Sequence, residues 1–221
     1  SIEKNGQIHF FYNGSFQKLE SFFKKIRKNI IMDLEPITSN MKKRGGGITS
    51  LELYNMCSKI DCYYQIFVKF DTADSMGANF INSCLEKITS IFKYYVQEKK
   101  FLNTSGEKID FVMSILSNYT PNCLAKASVS CRIEDLEKKI ELNGKKFVEN
   151  FINAVKISKE DIFRAVTHNK GIMNGIDSVV IATGNDFRSV EACIHAYASR
   201  SGKYSGLSNA YIKGDQFYFN L

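Results

Sequence analysis

The chain has 221 residues, with 30 lysines and arginines against 23 aspartates and glutamates, and a formal net charge of +7. This length allows one large domain or two smaller ones with a buried core. No run of eighteen uncharged apolar residues and no basic segment followed by an apolar run is present, so we expect neither a membrane span nor a secretory signal.

The first predicted element is a strand at residues 7–12, where Ile8, Phe10 and Tyr12 occupy alternate positions. Ser15 is placed to cap a helix whose apolar residues recur every three or four positions as far as Ile30. Pro36 is expected to end this helix, because proline lacks a backbone N–H and restricts the residue before it. The three glycines at 45–47 predict a flexible corner.

Two more strands are predicted at residues 48–54 and 62–72, followed by a long amphipathic helix at 78–100 and a short apolar strand at 111–116. The resulting order is strand, helix, strand, strand, helix, strand. This is the order of a ferredoxin-like domain, which we place at residues 1–115.

The pattern changes in residues 116–221, which we interpret as a second domain. An alternating strand is predicted at 125–133 and an amphipathic helix at 144–157. Ser158, with Asp161 three residues later, predicts the start of another helix.

Further along, the sequence predicts a short buried run at 179–183, a helix of small residues at 190–199 and a strand at 217–221. The fold class is therefore α+β: a ferredoxin-like small domain and part of a mixed α/β large domain.

The turn before the long helix reads Asp-Ser-Met-Gly-Ala-Asn at residues 74–79. Gly77 and Ala78 leave room for a ligand beside the backbone, and free N–H groups at a helix start attract phosphate. Asp74 and Asn79 carry groups that hydrogen-bond a sugar or an amide. The alternative interpretation is an ordinary capped helix start.

A second polar segment, residues 164–175, combines Arg164, Lys170 and Asn174 with two glycines. The glycines allow a ligand to approach closely. A lysine in such surroundings can stabilise negative charge that develops on a carbonyl oxygen. A polar loop with a surface lysine is the alternative.

A third segment, residues 183–188, precedes the helix of small residues. Its Asp186 is either the cap of that helix or a buried carboxylate that pairs with a cation such as Lys170, and the sequence leaves both open. His195, within the helix, is interpreted as a packing residue. The six cysteines form no CxxC pair and no zinc-finger spacing, so we expect reduced thiols, no metal and a cytoplasmic location.

Taken together, the three segments resemble 3-hydroxy-3-methylglutaryl-coenzyme A (HMG-CoA) reductases of class II, the soluble bacterial type. The family's DAMGAN motif stands as DSMGAN at 74–79, and its THNKGIMNG motif is complete at 167–175. Its ATGNDWR motif stands at 182–188, with Phe187 in place of the tryptophan. Because order and spacing match across nearly the whole chain, we identify it as the central portion of such an enzyme.

The resemblance implies an oxidoreductase of the mevalonate pathway of isoprenoid biosynthesis. It would reduce HMG-CoA to mevalonate and CoA with two NAD(P)H, the small domain binding the dinucleotide and the large domain the CoA substrate. The family also implies a homodimer, or a multiple of dimers, with the site at the subunit interface.

Roles for individual residues follow from the motifs that match. Lys170 would stabilise the thioester oxyanion, and Asp186 would hold that lysine. Arg164 suits the terminal carboxylate of the substrate, and Asn174 is a second substrate contact. The cofactor contacts implied by the resemblance are Asp74, Met76, Gly77, Ala78, Asn79, Glu86 and Asn118.

The sequence also departs from the family. It has no counterpart for the catalytic glutamate ahead of the small domain or for the histidine after the large one, so we expect this portion alone to be inactive. An ungapped count places Ser15, with Lys18 close by, where the family has an acid that contacts the ribose 2′-hydroxyl. The loss of an acid beside a base favours a 2′-phosphate, hence NADPH, with NADH possible.

Two other functions stay open from the sequence. A non-catalytic module that binds a dinucleotide or CoA needs the same turn at 74–79. A nucleic-acid-binding α+β domain would suit the net charge and the ferredoxin-like order. No basic run is interleaved with stacking aromatic residues, however, so we expect no nucleic-acid partner and, from the absence of an apolar span, no membrane partner.

Overall fold

The computed structural model describes residues 3–140 and 143–221. The chain forms two compact units, Ser1–Cys123 and Leu124–Leu221. The elements of the first unit are β1 (Glu3–Tyr12), α1 (Phe16–Asp33), α2 (Glu35–Lys43), β2 (Gly47–Asn55), β3 (Tyr63–Asp71), α3 (Ala78–Glu98) and β4 (Ile109–Ser117).

The strands of the first unit form one antiparallel sheet in the order β2-β3-β1-β4. The alternation predicted for β1 and β3 is confirmed, because every second side chain is buried in the core. Apolar burial of this kind is the main favourable term in folding. The core residues of these two strands are Ile8, Phe10, Tyr12, Tyr64, Ile66, Val68 and Phe70.

The register of this sheet defines its two ends. Glu3 lies opposite Asp71, which in turn lies opposite Gly47, so β1 and β2 begin where β3 finishes. We call this the Asp71 end. At the other end, Phe11 lies opposite Tyr63. Loops that follow β1 and β3 therefore emerge at opposite ends of the sheet.

Pro36 does not end the first helix. The helix α1 finishes at Asp33, and Pro36 stands in the first turn of α2, a helix that the sequence reading did not predict. The first N–H groups of a helix have no partner within it, so proline is tolerated there and its fixed φ suits the first turn.

The elements of the second unit are β5 (Ser128–Arg132), α4 (Ile133–Ile140), α5 (Gly144–Glu160), α6 (Ile162–Ala182), α7 (Phe187–Ala198), β6 (Asn209–Lys213) and β7 (Gln216–Asn220). Its strands form an antiparallel sheet in the order β5-β7-β6. The Phe151 ring of α5 packs edge-on against Phe217 and Phe219 of the central strand, with centroids 5.3 and 5.5 Å apart.

Two predictions for the second unit were wrong. Ser158 does not cap a helix: it is buried within α5, and its hydroxyl donates to the Val155 carbonyl. The cap of α6 is Asp161, whose carboxylate accepts from the Phe163 N–H at 2.9 Å. Residues 179–183 are not a buried run either, because they end α6 and leave Val179 63% exposed.

The architecture is mixed α+β with antiparallel sheets. The predicted domain boundary at residue 115 falls within β4, whereas the two compact units divide after Cys123. The segment that follows β4 stays with the first unit, since the Cys123 thiol donates to the Glu3 carbonyl at the start of β1. No helix in the described part of the chain is long and apolar enough to cross a membrane.

Candidate cofactor and substrate sites

The turn that leaves β3 at the Asp71 end is closed by two reciprocal hydrogen bonds. The buried Thr72 hydroxyl donates to the Ser75 carbonyl at 2.7 Å, and the Ser75 hydroxyl donates to the Thr72 carbonyl at 2.8 Å. These bonds fix the path of the chain into α3. The following residues, 76–79, are thereby presented at the end of the sheet.

Gly77 is required by this path. Its φ of +76° is the left-handed conformation that glycine adopts without strain, and a Cβ there would lie 2.4 Å from Cγ2 of Thr72. Gly77 precedes α3 without a side-chain cap, so no side chain in the described residues occupies the first-turn N–H groups at Ala78 and Asn79. Such a helix start attracts an anionic group.

Asp74, Met76 and Asn79 are exposed on this turn. The Asp74 carboxylate pairs with the guanidinium of Arg44, which ends α2. The hydrogen bond from Arg44 holds the pKa of Asp74 below its ordinary value. Arg44 was not among the residues predicted for the site.

Two other predicted cofactor residues lie on the same side of the unit. The Leu116 N–H donates to Oδ1 of Asn82 at 3.0 Å, which ties the end of β4 to the first turns of α3 and places Asn118 at the Asp71 end. Glu86 is exposed on α3. It follows Asn79 by seven residues, or two helical turns, and so lies on the same face about 10 Å further along.

Ser15 and Lys18 are not brought together with this turn. They follow β1 and therefore lie at the opposite end of the sheet, about 30 Å away by the length of the strand. Ser15 caps α1, accepting from the Lys18 N–H at 3.3 Å. The Lys18 ammonium donates to Glu107 at 2.5 Å and to Asn103 at 2.8 Å. Their assignment to a 2′-phosphate stays a prediction that this geometry weighs against.

In the second unit, the predicted substrate residues all lie on α6, which is a helix rather than a polar loop. Lys170 and Asn174 are exposed and four residues apart, so they are neighbours on one face. Arg164, also exposed, precedes Lys170 by six residues and points to a different side of the helix. The helix itself therefore brings together Lys170 and Asn174 but not Arg164.

Asp186 is the N-cap of α7. Its Oδ1 accepts from the backbone N–H groups of Arg188 and Ser189, at 3.1 and 3.4 Å. Within the described residues its ion pair is with the Arg188 side chain, at 3.4 Å, rather than with Lys170. The Ser189 N–H, followed by Arg188, holds the pKa of Asp186 below its ordinary value, so the carboxylate is charged near neutral pH.

Two residues of the THNKGIMNG motif at 167–175 have a structural role that we did not predict from the sequence. Asn169 is fully buried: its Nδ2 donates to the Ser205 carbonyl and its Oδ1 accepts from the Leu207 N–H, both at 3.0 Å. His168 Nε2 lies 2.7 Å from the Ser208 hydroxyl. Asn169 falls on the same helical face as the buried Ala165 and Met173, a periodicity that could have revealed its burial.

The remaining predictions concern His195 and metal ions. His195 is exposed, and its Nδ1 lies 2.8 Å from the Tyr204 hydroxyl. No group of three or more metal-ligating side chains occurs in the described residues. An open groove of about 710 Å³ runs beside α1, α2 and α3, and its lining contains none of the predicted site residues.

Comparisons with known proteins all identify the same enzyme family. The family described as "Hydroxymethylglutaryl-coenzyme A reductase" matches residues 3–221. A probable 3-hydroxy-3-methylglutaryl-coenzyme A reductase of Borreliella burgdorferi is 36% identical over 202 residues, covering 90% of this chain and 43% of the relative. The reductase of Archaeoglobus fulgidus is 32% identical over 170 residues, covering 77% of this chain and 34% of the relative.

Solved structures give the same result for the fold. The reductase of Streptococcus pneumoniae superimposes with a TM-score of 0.82 and 29% identity, over 99% of this chain and 56% of the other. A class II reductase from the same organism, described as bound to NADPH in open conformations, matches equally well over 50% of its length. The chain thus spans about half the length, or less, of the relatives that it matches.

Proposed function

Because the chain belongs to the hydroxymethylglutaryl-coenzyme A reductase family, in its class II branch, we propose that it takes part in reducing HMG-CoA to mevalonate and CoA. The main observation behind the proposal is the DSMGAN turn at residues 74–79. It leads into a helix start that has no side-chain cap, and its polar residues Asp74 and Asn79 are exposed. A match of the family to residues 3–221 supports it.

We propose NADPH as the cofactor, supported by the description of the S. pneumoniae structure. The turn fits a dinucleotide, because Gly77 brings bare backbone to the surface and the first N–H groups of α3 are available to an anion. When bound, the nicotinamide supplies the hydride. The residues proposed to contact the cofactor here are Asp74, Met76, Gly77, Ala78, Asn79, Glu86 and Asn118.

The substrate is proposed to bind at the exposed face of α6. Lys170 would donate to the thioester oxygen and stabilise the negative charge that forms there, with Asn174 beside it on the same face. Asp186, which is charged at neutral pH, is the proposed counter-charge for Lys170. Arg164 is proposed to meet the terminal carboxylate of the substrate, from its own side of the helix.

We also infer a ferredoxin-like small domain at 1–115 and part of a large CoA-binding domain at 116–221. The antiparallel order β2-β3-β1-β4, with one helical crossover after β1 and another after β3, supports the first of these. A homodimer, or a multiple of dimers, and a cytoplasmic location stay predictions from the family.

The proposed reaction is tested by HMG-CoA-dependent oxidation of NADPH, followed at 340 nm for the complete gene product. We expect turnover that falls about 100-fold or more in Lys170→Met, with unchanged affinity for NADPH, because the lost group acts on the substrate alone. The 221-residue chain alone is expected to be inactive. NADPH binding by a complete product that shows no turnover would instead favour a non-catalytic dinucleotide-binding module.

A further inference from the structure

A run of three cations ends α2 at the Asp71 end of the first sheet. Lys42 and Lys43 form its last turn, and Arg44 follows as its C-cap residue. Lys42 pairs with Glu35, Arg44 pairs with Asp74, and Lys43 is exposed. Of these three cations, Arg44 therefore contacts the turn at 74–79, whereas Lys42 is paired with a carboxylate of its own helix.

Arg44 is held beside that turn by the backbone. The Arg44 and Gly46 N–H groups both donate to the Met41 carbonyl, at 3.1 and 3.0 Å, which fixes the bend after α2. A Cβ on Gly46 would lie 2.5 Å from the Asp71 carbonyl oxygen, so the chain after Arg44 runs directly against the end of β3. The approach of these two segments places Arg44 beside the turn, where its guanidinium contacts Asp74, four residues before α3 begins.

Arg44 is also free to change partner, whereas Lys18 is not. The Arg44–Asp74 pair is exposed, with 49% and 82% of the two side chains accessible, and exposed pairs contribute little to stability. A guanidinium has five N–H donors in a planar fork that matches phosphate oxygens. Lys18 already donates to Glu107 and Asn103 and lies over the Phe101 ring, with its ammonium 5.1 Å from the centroid.

Building on the proposed function, we infer that Arg44 binds the pyrophosphate of the nicotinamide dinucleotide, and that Asp74 holds the guanidinium in place until the cofactor arrives. The pyrophosphate would lie between the Arg44 fork and the N–H groups at Ala78 and Asn79. NADH and NADPH share this group, so Arg44 contributes to the affinity for both.

The test is a fluorescence titration of the full 221-residue chain with NADPH and with NADH, comparing the native protein with Arg44→Met. Because Arg44→Met removes a charge-assisted contact, it should lower the affinity for both cofactors by about 10- to 100-fold. Arg44→Lys keeps the charge but not the planar fork of N–H donors, so its affinity for each cofactor should lie between those of the native protein and Arg44→Met. Lys43→Met removes the same charge from the neighbouring position and should change either affinity less than about 3-fold.

Three outcomes would overturn the inference while leaving the proposed function intact: unchanged binding by Arg44→Met, an equal loss in Lys43→Met, or a loss confined to NADPH, which would place a 2′-phosphate at Arg44. A titration with inorganic diphosphate distinguishes the failure of the Arg44 anion site from the failure of the proposed cofactor role. If the native chain binds diphosphate through Arg44 but binds neither nucleotide, the anion site stands and the proposed cofactor role fails. If it binds none of these probes, the inference about Arg44 fails, and turnover by the complete gene product decides the proposed function separately.

Discussion

The ammonium group of Lys18 lies 2.5 Å from Oε2 of Glu107, which fastens the start of α1 to the loop ahead of β4. The Tyr12 hydroxyl donates to the other oxygen of this carboxylate at 3.3 Å. Burial, together with Glu107, raises the pKa of Tyr12 to about 12. The charge of Lys18 is therefore used inside the first unit, at the end of the sheet away from the turn at 74–79.

The first prediction is that Lys18→Met destabilises the first unit without changing its affinity for NADPH. Loss of the bond to a half-buried carboxylate should lower the unfolding midpoint by roughly 5 °C. Lys24→Met is the matched control, because it breaks only an exposed pair with Glu20 and should shift the midpoint by about 1 °C. Equal shifts in the two variants, or weaker NADPH binding by Lys18→Met, would contradict the structural role.

The same ion pair predicts a dependence of stability on pH. The hydrogen bond from Lys18 holds the pKa of Glu107 below its ordinary value of 4.5. A carboxyl group with a lowered folded-state pKa stabilises the protein only while it is ionised. Its contribution is complete above pH 4.5 and is lost as the pH falls through the folded-state pKa.

The measurement is urea unfolding of the native chain and Glu107→Gln at pH 7, 5, 4 and 3. The native chain should be the more stable at pH 7 and 5, and its advantage should shrink at pH 4 and again at pH 3. The comparison cancels the contributions of the other carboxylates whose pKa values are lowered, Glu52, Asp74 and Asp186, because both proteins retain them. An advantage that does not change with pH would show that the ionised form of Glu107 is not what stabilises the fold.

Gly77→Ala is predicted to disrupt the turn and to weaken NADPH binding at least 10-fold. The left-handed backbone costs an alanine about 1–2 kcal/mol, and the new Cβ must also displace the Thr72 side chain. Gly106→Ala separates these effects, because Gly106 has a φ of +84° but no atom within 4 Å of its Cβ. Gly106→Ala should therefore lose stability by a smaller amount and bind NADPH normally; a similar loss of binding in both variants would rule out a specific role for the turn.

Much of the first unit could be predicted from side-chain periodicity. In β1, the apolar residues Ile8, Phe10 and Tyr12 occupy alternate positions, which predicts a strand with one face in the core, and all three are buried. Ser15 caps α1 as expected. Pro36 was misread because proline disfavours the middle of a helix but suits the first turn, and only tertiary structure decides which of these applies.

The second unit was harder to predict because packing overrides local preference there. Gly171 and Gly175 disfavour a helix, yet both lie within α6, which is fixed on its buried face by Ala165 and Met173. For the cofactor site, the motif located the turn at 74–79. The ungapped count that assigned Ser15 to the ribose contact did not bring it near that turn. Counting residues gives no information on strand direction. Because β1 and β3 are antiparallel, Ser15 after β1 and the turn after β3 lie at opposite ends of the sheet.

Asn169→Ala is predicted to destabilise the second unit by about 2–4 kcal/mol. The change leaves the Ser205 carbonyl and the Leu207 N–H without their side-chain partner, and unpaired buried groups of this kind cost about 1–3 kcal/mol each. Asn174→Ala, an exposed change on the same helix, should stay within about 0.5 kcal/mol of the native chain. Urea unfolding measures both, and similar values would mean that the Asn169 amide does not fasten the 205–208 segment.

The most direct test of the proposed cofactor site is a titration of the ¹⁵N-labelled chain with NADPH, followed by backbone amide resonances. We expect saturable shifts at Gly77, Ala78 and Asn79, accompanied by shifts at Arg44 and Asn118, and little change at Ser15 and Lys18. Shifts concentrated at Ser15 and Lys18, or no shifts in a chain that gives the spectrum of a folded protein, would contradict it.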